Sequence, residues 1–108
     1  MDRAVYKVFS SCKFWFDAMR IAHVFISGFV QGVGFRQFIK INADKLELKG
    51  WVRNTLDGCV EAFLQGRKED IQKLIQISRK GPFLAEVENV EVNWEETKDK
   101  LETFEIVN

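Results

Sequence analysis

The sequence predicts an α+β domain of the ferredoxin-like class, with the element order β-α-β-β-α-β and a short fifth strand after it. Two observations support this prediction. Several short segments have apolar residues at alternate positions, and two longer segments have them three and four positions apart. With right-handed crossovers, this order gives a mainly antiparallel sheet that carries both helices on one face. The fold alone does not decide the function.

The size and charge of the chain narrow the classes of protein to consider. Its 108 residues suffice for one domain, and 46% hydrophobic with 30% charged residues is typical of a folded globular protein. Lys plus Arg equals Asp plus Glu, at 16 each, so no overall charge attracts nucleic acid or an anionic membrane. No apolar run is long enough to span a bilayer. We therefore expect neither nucleic acid nor a membrane as a partner.

The cysteines and the single histidine give no reason to expect a disulfide or a metal. Cys12 and Cys59 are too few for a disulfide framework and lack the spacing of metal ligands, so we expect reduced thiols in a cytoplasmic protein. His23 lies inside a strand pattern, and we interpret it as a strand residue without a chemical role. No zinc site is expected.

The first half of the domain is predicted to contain a strand, a helix and a hairpin. Alternating apolar residues predict the first strand over residues 21–30, and an apolar stripe predicts the first helix over residues 35–48. The helix stripe consists of Phe35, Ile39, Ala43 and Leu46. Gly50 is a plausible left-handed stop for this helix. Strands over residues 51–54 and 59–65 flank the turn signal Asp57-Gly58 and predict the hairpin.

The second half is predicted to contain a helix and two strands. Glu69 and Asp70 are favourable in the first turn of a helix, and Gly81-Pro82 stops it. Its inner face consists of Ile71, Leu74, Ile75 and Ser78, and its last turn carries Arg79 and Lys80. A strand over residues 87–94 changes parity between Val87 and Val90, which suggests a bulge or a late strand start. A charged loop and a short strand with Phe104 and Ile106 follow.

Residues 1–20 are predicted to be an N-terminal extension ahead of a domain at residues 21–108. Their aromatic runs are short and interrupted, and they lack a secretory pattern. Three interpretations stay open: an arm outside the fold, an element packed on the domain, or translated sequence ahead of a start at Met19. Because aromatic side chains bury large apolar areas, we expect part of the extension to pack on its own domain or to mediate self-association.

The stretch from Phe29 to Arg36 carries the clearest functional signal. Gly32 and Gly34 allow a tight loop between strand and helix, because glycine adopts positive φ at low cost. The backbone N–H groups of such a loop, with the positive end of the following helix, can converge on an anion. Arg36 adds a planar, permanently charged fork. We interpret the stretch as a phosphate site; the alternative is a plain strand-to-helix turn with a surface arginine.

The stretch Gly50–Asn54 is the second informative one. Asn54 lies at the end of an apolar strand ahead of a turn, where its amide can orient a water or a ligand, or simply cap the turn. Arg53 alternates to the other face and is expected to be solvated.

These stretches closely resemble the acylphosphatase family over about residues 20–107. The matching residues are 28–36, 50–54, Asp57-Gly58, Val60-Glu61-Ala62, Gly66, Gly81-Pro82, Ala85, Val87, Val90, Val92, Trp94 and 104–106. The chain departs from the family pattern at Glu47, where a glycine is frequent, and at Gln37 and Asn42.

The resemblance implies an enzyme that hydrolyses the carboxyl–phosphate bond of small acyl phosphates, without a metal or organic cofactor. It implies that Arg36 binds phosphate and that Asn54 holds the attacking water. It also implies a phosphate cradle formed through the backbone N–H groups of Gln31, Gly32, Val33, Gly34, Phe35 and Arg36. Since the motif stretches 28–36 and 50–54 contain no His, Asp or Glu, we expect no general base.

Two other classes of function stay open. RNA-recognition domains share this element order and place aromatic residues on the open face of the sheet, where Phe25, Phe29 and Phe63 are expected here. The absence of a basic excess argues against that class. The other class is a non-catalytic carbamoyl-phosphate-binding or protein-interaction module, because a similar domain begins the larger hydrogenase-maturation proteins.

Overall fold

The computed structural model of the chain describes residues 18–97 and 99–108. The strands are β1 (Met19–Phe29), β2 (Lys49–Asn54), β3 (Val60–Arg67), β4 (Glu86–Glu95) and β5 (Phe104–Ile106), and the helices are α1 (Phe35–Lys45) and α2 (Lys68–Lys80). This order confirms the predicted element sequence.

The strands form one sheet in the order β4-β1-β3-β2-β5. The pairs of β1 with β3, β1 with β4 and β2 with β3 are antiparallel, whereas β5 pairs with β2 in parallel. The inner faces of both helices share one core with alternate residues of the strands, such as Val24, Ala62 and Val52. The ferredoxin-like sandwich is therefore confirmed.

Helix α1 ends earlier than the sequence predicts, and its left-handed stop is Glu47 rather than Gly50. The amide of Leu48 donates to the carbonyl of Ala43 at 2.8 Å, and the amide of Glu47 donates to Asp44 at 3.1 Å, which is the Schellman pattern. Glu47 has φ +59°, in the left-handed region. Gly50 instead lies inside β2, where a Cβ atom would stand 1.8 Å from the Phe63 carbonyl oxygen.

The open face of the sheet, opposite the helices, carries a buried acidic residue. Glu61 is 7% exposed, and its carboxylate lies 2.5 Å from Nε2 of His23 and 2.7 Å from Nη2 of Arg53. The side chain of Arg53 lies on this face, as predicted, and is 39% exposed, but it is not simply solvated, because it pairs with a buried charge on the neighbouring strand. Trp51 and Phe63 stack beside this cluster, with ring centroids 5.7 Å apart.

Two strand details follow from the pairing register. The register between β1 and β4 shifts at Ser27 and Gly28, whose partners are Asn89 and Val87, so Glu88 is left as an extra residue. This confirms the predicted bulge in β4. Strand β1 begins at Met19, earlier than the predicted start at residue 21, because it continues its pairing with the end of β3.

The predicted extension falls almost entirely outside the described residues. Its packing and the proposed self-association concern residues 1–17, which the structure does not describe. Within residues 18–97 and 99–108, no helix has the length and apolar character that crossing a membrane requires.

Candidate active site

The loop between β1 and α1 is shaped by two glycines with positive φ. Gly32 has φ +77° and Gly34 has φ +80°, and a Cβ atom on either would meet no other atom within 4 Å. The backbone conformation rather than crowding therefore requires glycine at both positions. Gly34 is also the N-cap of α1, so the loop passes directly into the helix.

The N-terminus of α1 is left without an internal partner of opposite charge. Gly34 has no side chain that could cap the helix, and the first turn contains no acidic residue. The first N–H groups of any helix lack intrahelical acceptors, and the helix dipole makes this end positive. Arg36 lies in the same turn and forms no ion pair within the described part of the chain. The loop and the first turn thus present positive charge and free donors.

A cavity of about 210 Å³ opens at this end of the sheet. Its walls are formed by Val30, Gly32, Gly34, Phe35, Arg36, Gln37, Asn54 and Ile106. The volume is several times the roughly 30 Å³ that one water occupies in the liquid. The cavity therefore has room for an oxyanion together with water, next to both Arg36 and Asn54.

Most of the predicted site residues line this cavity, and two do not. The loop glycines, Phe35, Arg36 and Asn54 contribute to its walls. Val33 packs against the hydrophobic core instead. Gln31 directs its side-chain amide to the turn between β2 and β3, where Nε2 donates to the carbonyl oxygens of Thr55 and Cys59, each at 2.8 Å.

Three wall residues were not singled out from the sequence. Val30 and Gln37 lie within or directly beside the glycine-rich stretch, so their position next to Gly32 and Gly34 is the sequence signal for them. Ile106 comes from the other end of the chain. It lines the cavity because β5 pairs in parallel with β2, with Ile106 opposite Val52, two residues before Asn54. No local sequence signal gives that pairing.

The turn that follows Asn54 is held by its own side chains. The Thr55 hydroxyl donates to the Asp57 carboxylate and accepts from the Cys59 amide at 3.0 Å. The hydrogen bond from Thr55 holds the pKa of the Asp57 carboxyl below its ordinary value. Burial raises the pKa of the Cys59 thiol, and the charge of Asp57 adds to this effect. At neutral pH, Cys59 is therefore a protonated thiol and not a nucleophile.

The fold and this site define a class of protein: a ferredoxin-like domain that presents an arginine, an open helix N-terminus and an asparagine to one cavity. The acylphosphatase family profile matches residues 22–106. The acylphosphatase of Chloroflexus aurantiacus is 52% identical over 86 residues, which cover 80% of this chain and 94% of that relative.

Solved structures agree with this match. The acylphosphatase from Bacillus subtilis superposes with a TM-score of 0.80 and 32% identity, covering 82% of this chain and 99% of that one. HypF from T. kodakarensis gives a TM-score of 0.73 and 31% identity, covering 82% of this chain but 12% of HypF. The chain belongs to the acylphosphatase family, as its motifs predicted. It is an enzyme, and its general activity is acyl phosphate hydrolysis.

Proposed function

We propose that Arg36 and the backbone of the loop over residues 31–36 bind the phosphate of an acyl phosphate, while Asn54 orients the attacking water. The water oxygen forms a bond to phosphorus, and the bond from phosphorus to the carboxyl oxygen breaks. The carboxylate leaves with the electron pair, and inorganic phosphate remains. Both residues are catalytic in this proposal, because both touch the reacting groups.

One observation supports these roles above the others: Arg36 and Asn54 line the same cavity. They come from different elements, the first turn of α1 and the end of β2, and the open loop with Gly32 and Gly34 forms the wall beside them. A plain strand-to-helix turn with a surface arginine gives no reason for an asparagine of another strand to face the same space.

The chemistry of phosphoryl transfer asks for what this cavity offers. The transition state spreads negative charge over the equatorial phosphate oxygens, so catalysis depends mainly on positioning and on charge stabilisation. The guanidinium of Arg36 and the amides of the loop supply positive charge and donors. The carboxamide of Asn54 has both a donor and an acceptor, so it can hold a water in a fixed orientation.

The described residues that line the cavity include no carboxylate and no imidazole. A carboxylate is a good leaving group and needs little protonation. We propose that the proton of the attacking water passes to an oxygen of the substrate phosphate, so that no side chain acts as a general base. A pH–rate profile without a sharp limb near neutrality is the expected result, and a steep limb there would contradict it.

A phosphate-release assay on a panel of acyl phosphates tests the proposed reaction. Acetyl phosphate, benzoyl phosphate and carbamoyl phosphate are compared with a phosphate monoester of similar size. We expect hydrolysis of the acyl phosphates and negligible hydrolysis of the ester, because an alkoxide leaves poorly without an acid. Comparable rates on both would contradict the proposal.

We further propose that the enzyme acts in the cytoplasm, without a nucleic-acid partner.

A further inference from the structure

The side chain of Gln31 lies outside the cavity, yet it joins the two segments that build it. Its Nε2 atom has two N–H groups, and they meet the carbonyl oxygens of Thr55 and Cys59 at 2.8 Å each. We propose that Gln31 is a positioning residue, whose side-chain amide fixes the phosphate-binding loop relative to Asn54. This inference rests on the proposed function.

The strand pairing shows why such a connection matters. The ladder between β1 and β3 ends at the pair of Ile26 and Val60, and the loop with Gly32 lies beyond that point. Asn54 is the last residue of β2 and pairs with the same Val60. Past this point, the strands no longer hold the loop against the hairpin. Among the hydrogen bonds of the described residues, the two from Gln31 make that connection.

The turn that accepts these two hydrogen bonds is itself held by hydrogen bonds between its own residues. The amide of Thr55 donates to the Cys59 carbonyl at 2.9 Å, and the Cys59 amide donates back to the Thr55 hydroxyl at 3.0 Å. The Gly58 amide donates to the Thr55 carbonyl at 3.3 Å. Because Asn54 directly precedes this turn, an amide that holds both carbonyls also holds the backbone from which Asn54 projects.

The proposed reaction is sensitive to this distance. The loop amides fix the phosphorus atom, and Asn54 fixes the water that must approach it in line. Misplacement by about 1 Å can cost on the order of a hundredfold in rate, even when the change lies outside the chemistry. The two hydrogen bonds from Gln31 should therefore affect the rate of the chemical step more than the affinity for phosphate. The loop and Arg36 provide that affinity by themselves.

The first test replaces Gln31 by a side chain of similar length without a donor. Gln31→Met is compared with Gln72→Met, an exposed glutamine of α2. We expect kcat on benzoyl phosphate to fall about tenfold to a hundredfold in Gln31→Met, with the inhibition constant of inorganic phosphate little changed. The control is expected to match the parent in both. A parallel loss of kcat and of phosphate affinity would assign Gln31 to the loop alone and overturn the inference.

A second variant is tested by how its kcat changes with pH. The shape of that dependence does not depend on how much of the variant is folded. In Gln31→Glu, the carboxylate faces two carbonyl oxygens that disfavour its charged form, so its pKa is expected to rise above the ordinary glutamate value. The protonated acid can still donate one hydrogen bond, whereas the carboxylate repels both carbonyls. Its kcat relative to the parent should therefore recover as the pH falls, while the loss in Gln31→Met stays constant with pH. A constant ratio for Gln31→Glu would overturn the inference.

The outcomes separate this inference from the function on which it rests. If the parent turns over acyl phosphates and depends on Asn54, but Gln31→Met behaves like Gln72→Met, the positioning role alone is wrong. If Asn54→Ala retains the parent's kcat, the proposed function fails, and the role of Gln31 fails with it.

Discussion

The first turns of the two helices carry side chains of opposite net charge. Helix α1 begins at a left-handed glycine, has no acidic residue in its first turn and carries Arg36 there. Helix α2 has Glu69 and Asp70 in its first turn. In both helices the cap residue makes no side-chain hydrogen bond to the first turn, so the difference lies in charge.

The carboxylates of α2 compensate the positive end of its dipole. The backbone amide of Glu69 and the charge of Arg67, whose Nη2 lies 3.3 Å from the carboxylate, hold the pKa of Glu69 below its ordinary value. Helix α1 leaves the same positive end uncompensated and places it against the cavity. If the proposed function holds, the same element of secondary structure serves stability in α2 and anion binding in α1, depending on the residues of its first turn.

Removing the charge from the first turn of α1 should have the largest effect. We expect Arg36→Ala to lose about 3–4 kcal/mol of transition-state stabilisation, which lowers kcat/KM several hundredfold. Arg79→Ala, in the last turn of α2, is the matched control and should match the parent. Steady-state kinetics on benzoyl phosphate measure both. Equal kcat/KM values for the parent and Arg36→Ala would contradict the proposed role of the first turn of α1 in binding phosphate.

Giving α1 the acidic first turn of α2 should weaken substrate binding. Gln37 lines the cavity in that turn, and Gln37→Glu places a negative charge near the phosphate. Two unit charges about 4 Å apart interact by about 1 kcal/mol in bulk water, so in a cavity open to water we expect a cost of about 1 kcal/mol, seen as a severalfold rise in KM and in the inhibition constant of phosphate. The same change should stabilise the helix by about 0.3–1 kcal/mol. Gln72→Glu on α2 serves as the control. Tighter phosphate binding in Gln37→Glu would contradict an open anion site.

The C-terminus of α1 offers a test of stability that should leave catalysis unchanged. Glu47→Gly relieves a left-handed conformation that costs about 1–2 kcal/mol, and added freedom of the unfolded chain offsets part of that gain. We expect a net gain of about 0.5–1 kcal/mol in the free energy of unfolding, measured with urea. Lys45→Gly, at the last residue of the same helix, relieves no strain and should lose stability, by at most about 1 kcal/mol. Destabilisation by Glu47→Gly would contradict the assigned stop.

The smallest effect should come from the first turn of α2. Because the folded pKa of Glu69 is lowered, its contribution to stability is present above the ordinary glutamate pKa and is lost as the pH falls through the lowered value. Glu69→Gln should therefore have a lower Tm than the parent at neutral pH, and the two should converge in acid, with kcat unchanged. A difference in Tm that stays the same in acid would show that charge is not the cause.

The sequence predicted the fold and most of the residues that line the cavity, because both depend on local patterns. Alternation located the strands, helical stripes located both inner faces, and the glycine spacing marked the loop around Gly32 and Gly34. The placement of Ile106 depends instead on which strand pairs with β5, and no local pattern encodes that choice. The resemblance to the acylphosphatase family also implied residue roles that the fold alone would not supply, and these roles stay proposals.

The errors concern residues whose partners are distant in sequence or whose conformation is unusual. Arg53 was expected in solvent because it alternates away from the core, but cross-strand pairing places Glu61 beside it. Gly50 was taken as the helix stop because glycine is the usual residue there, whereas the left-handed residue is Glu47. No prediction was made for the side chain of Gln31, because its amide reaches a turn that only the folded chain brings near.

We propose that phosphate binding and water positioning belong to different residues on the two sides of one cavity. The most direct test measures kcat on benzoyl phosphate and the affinity for inorganic phosphate in the same preparation of Asn54→Ala. We expect turnover to be lost while phosphate affinity stays close to that of the parent. Retained turnover, or loss of phosphate affinity in step with turnover, would contradict it.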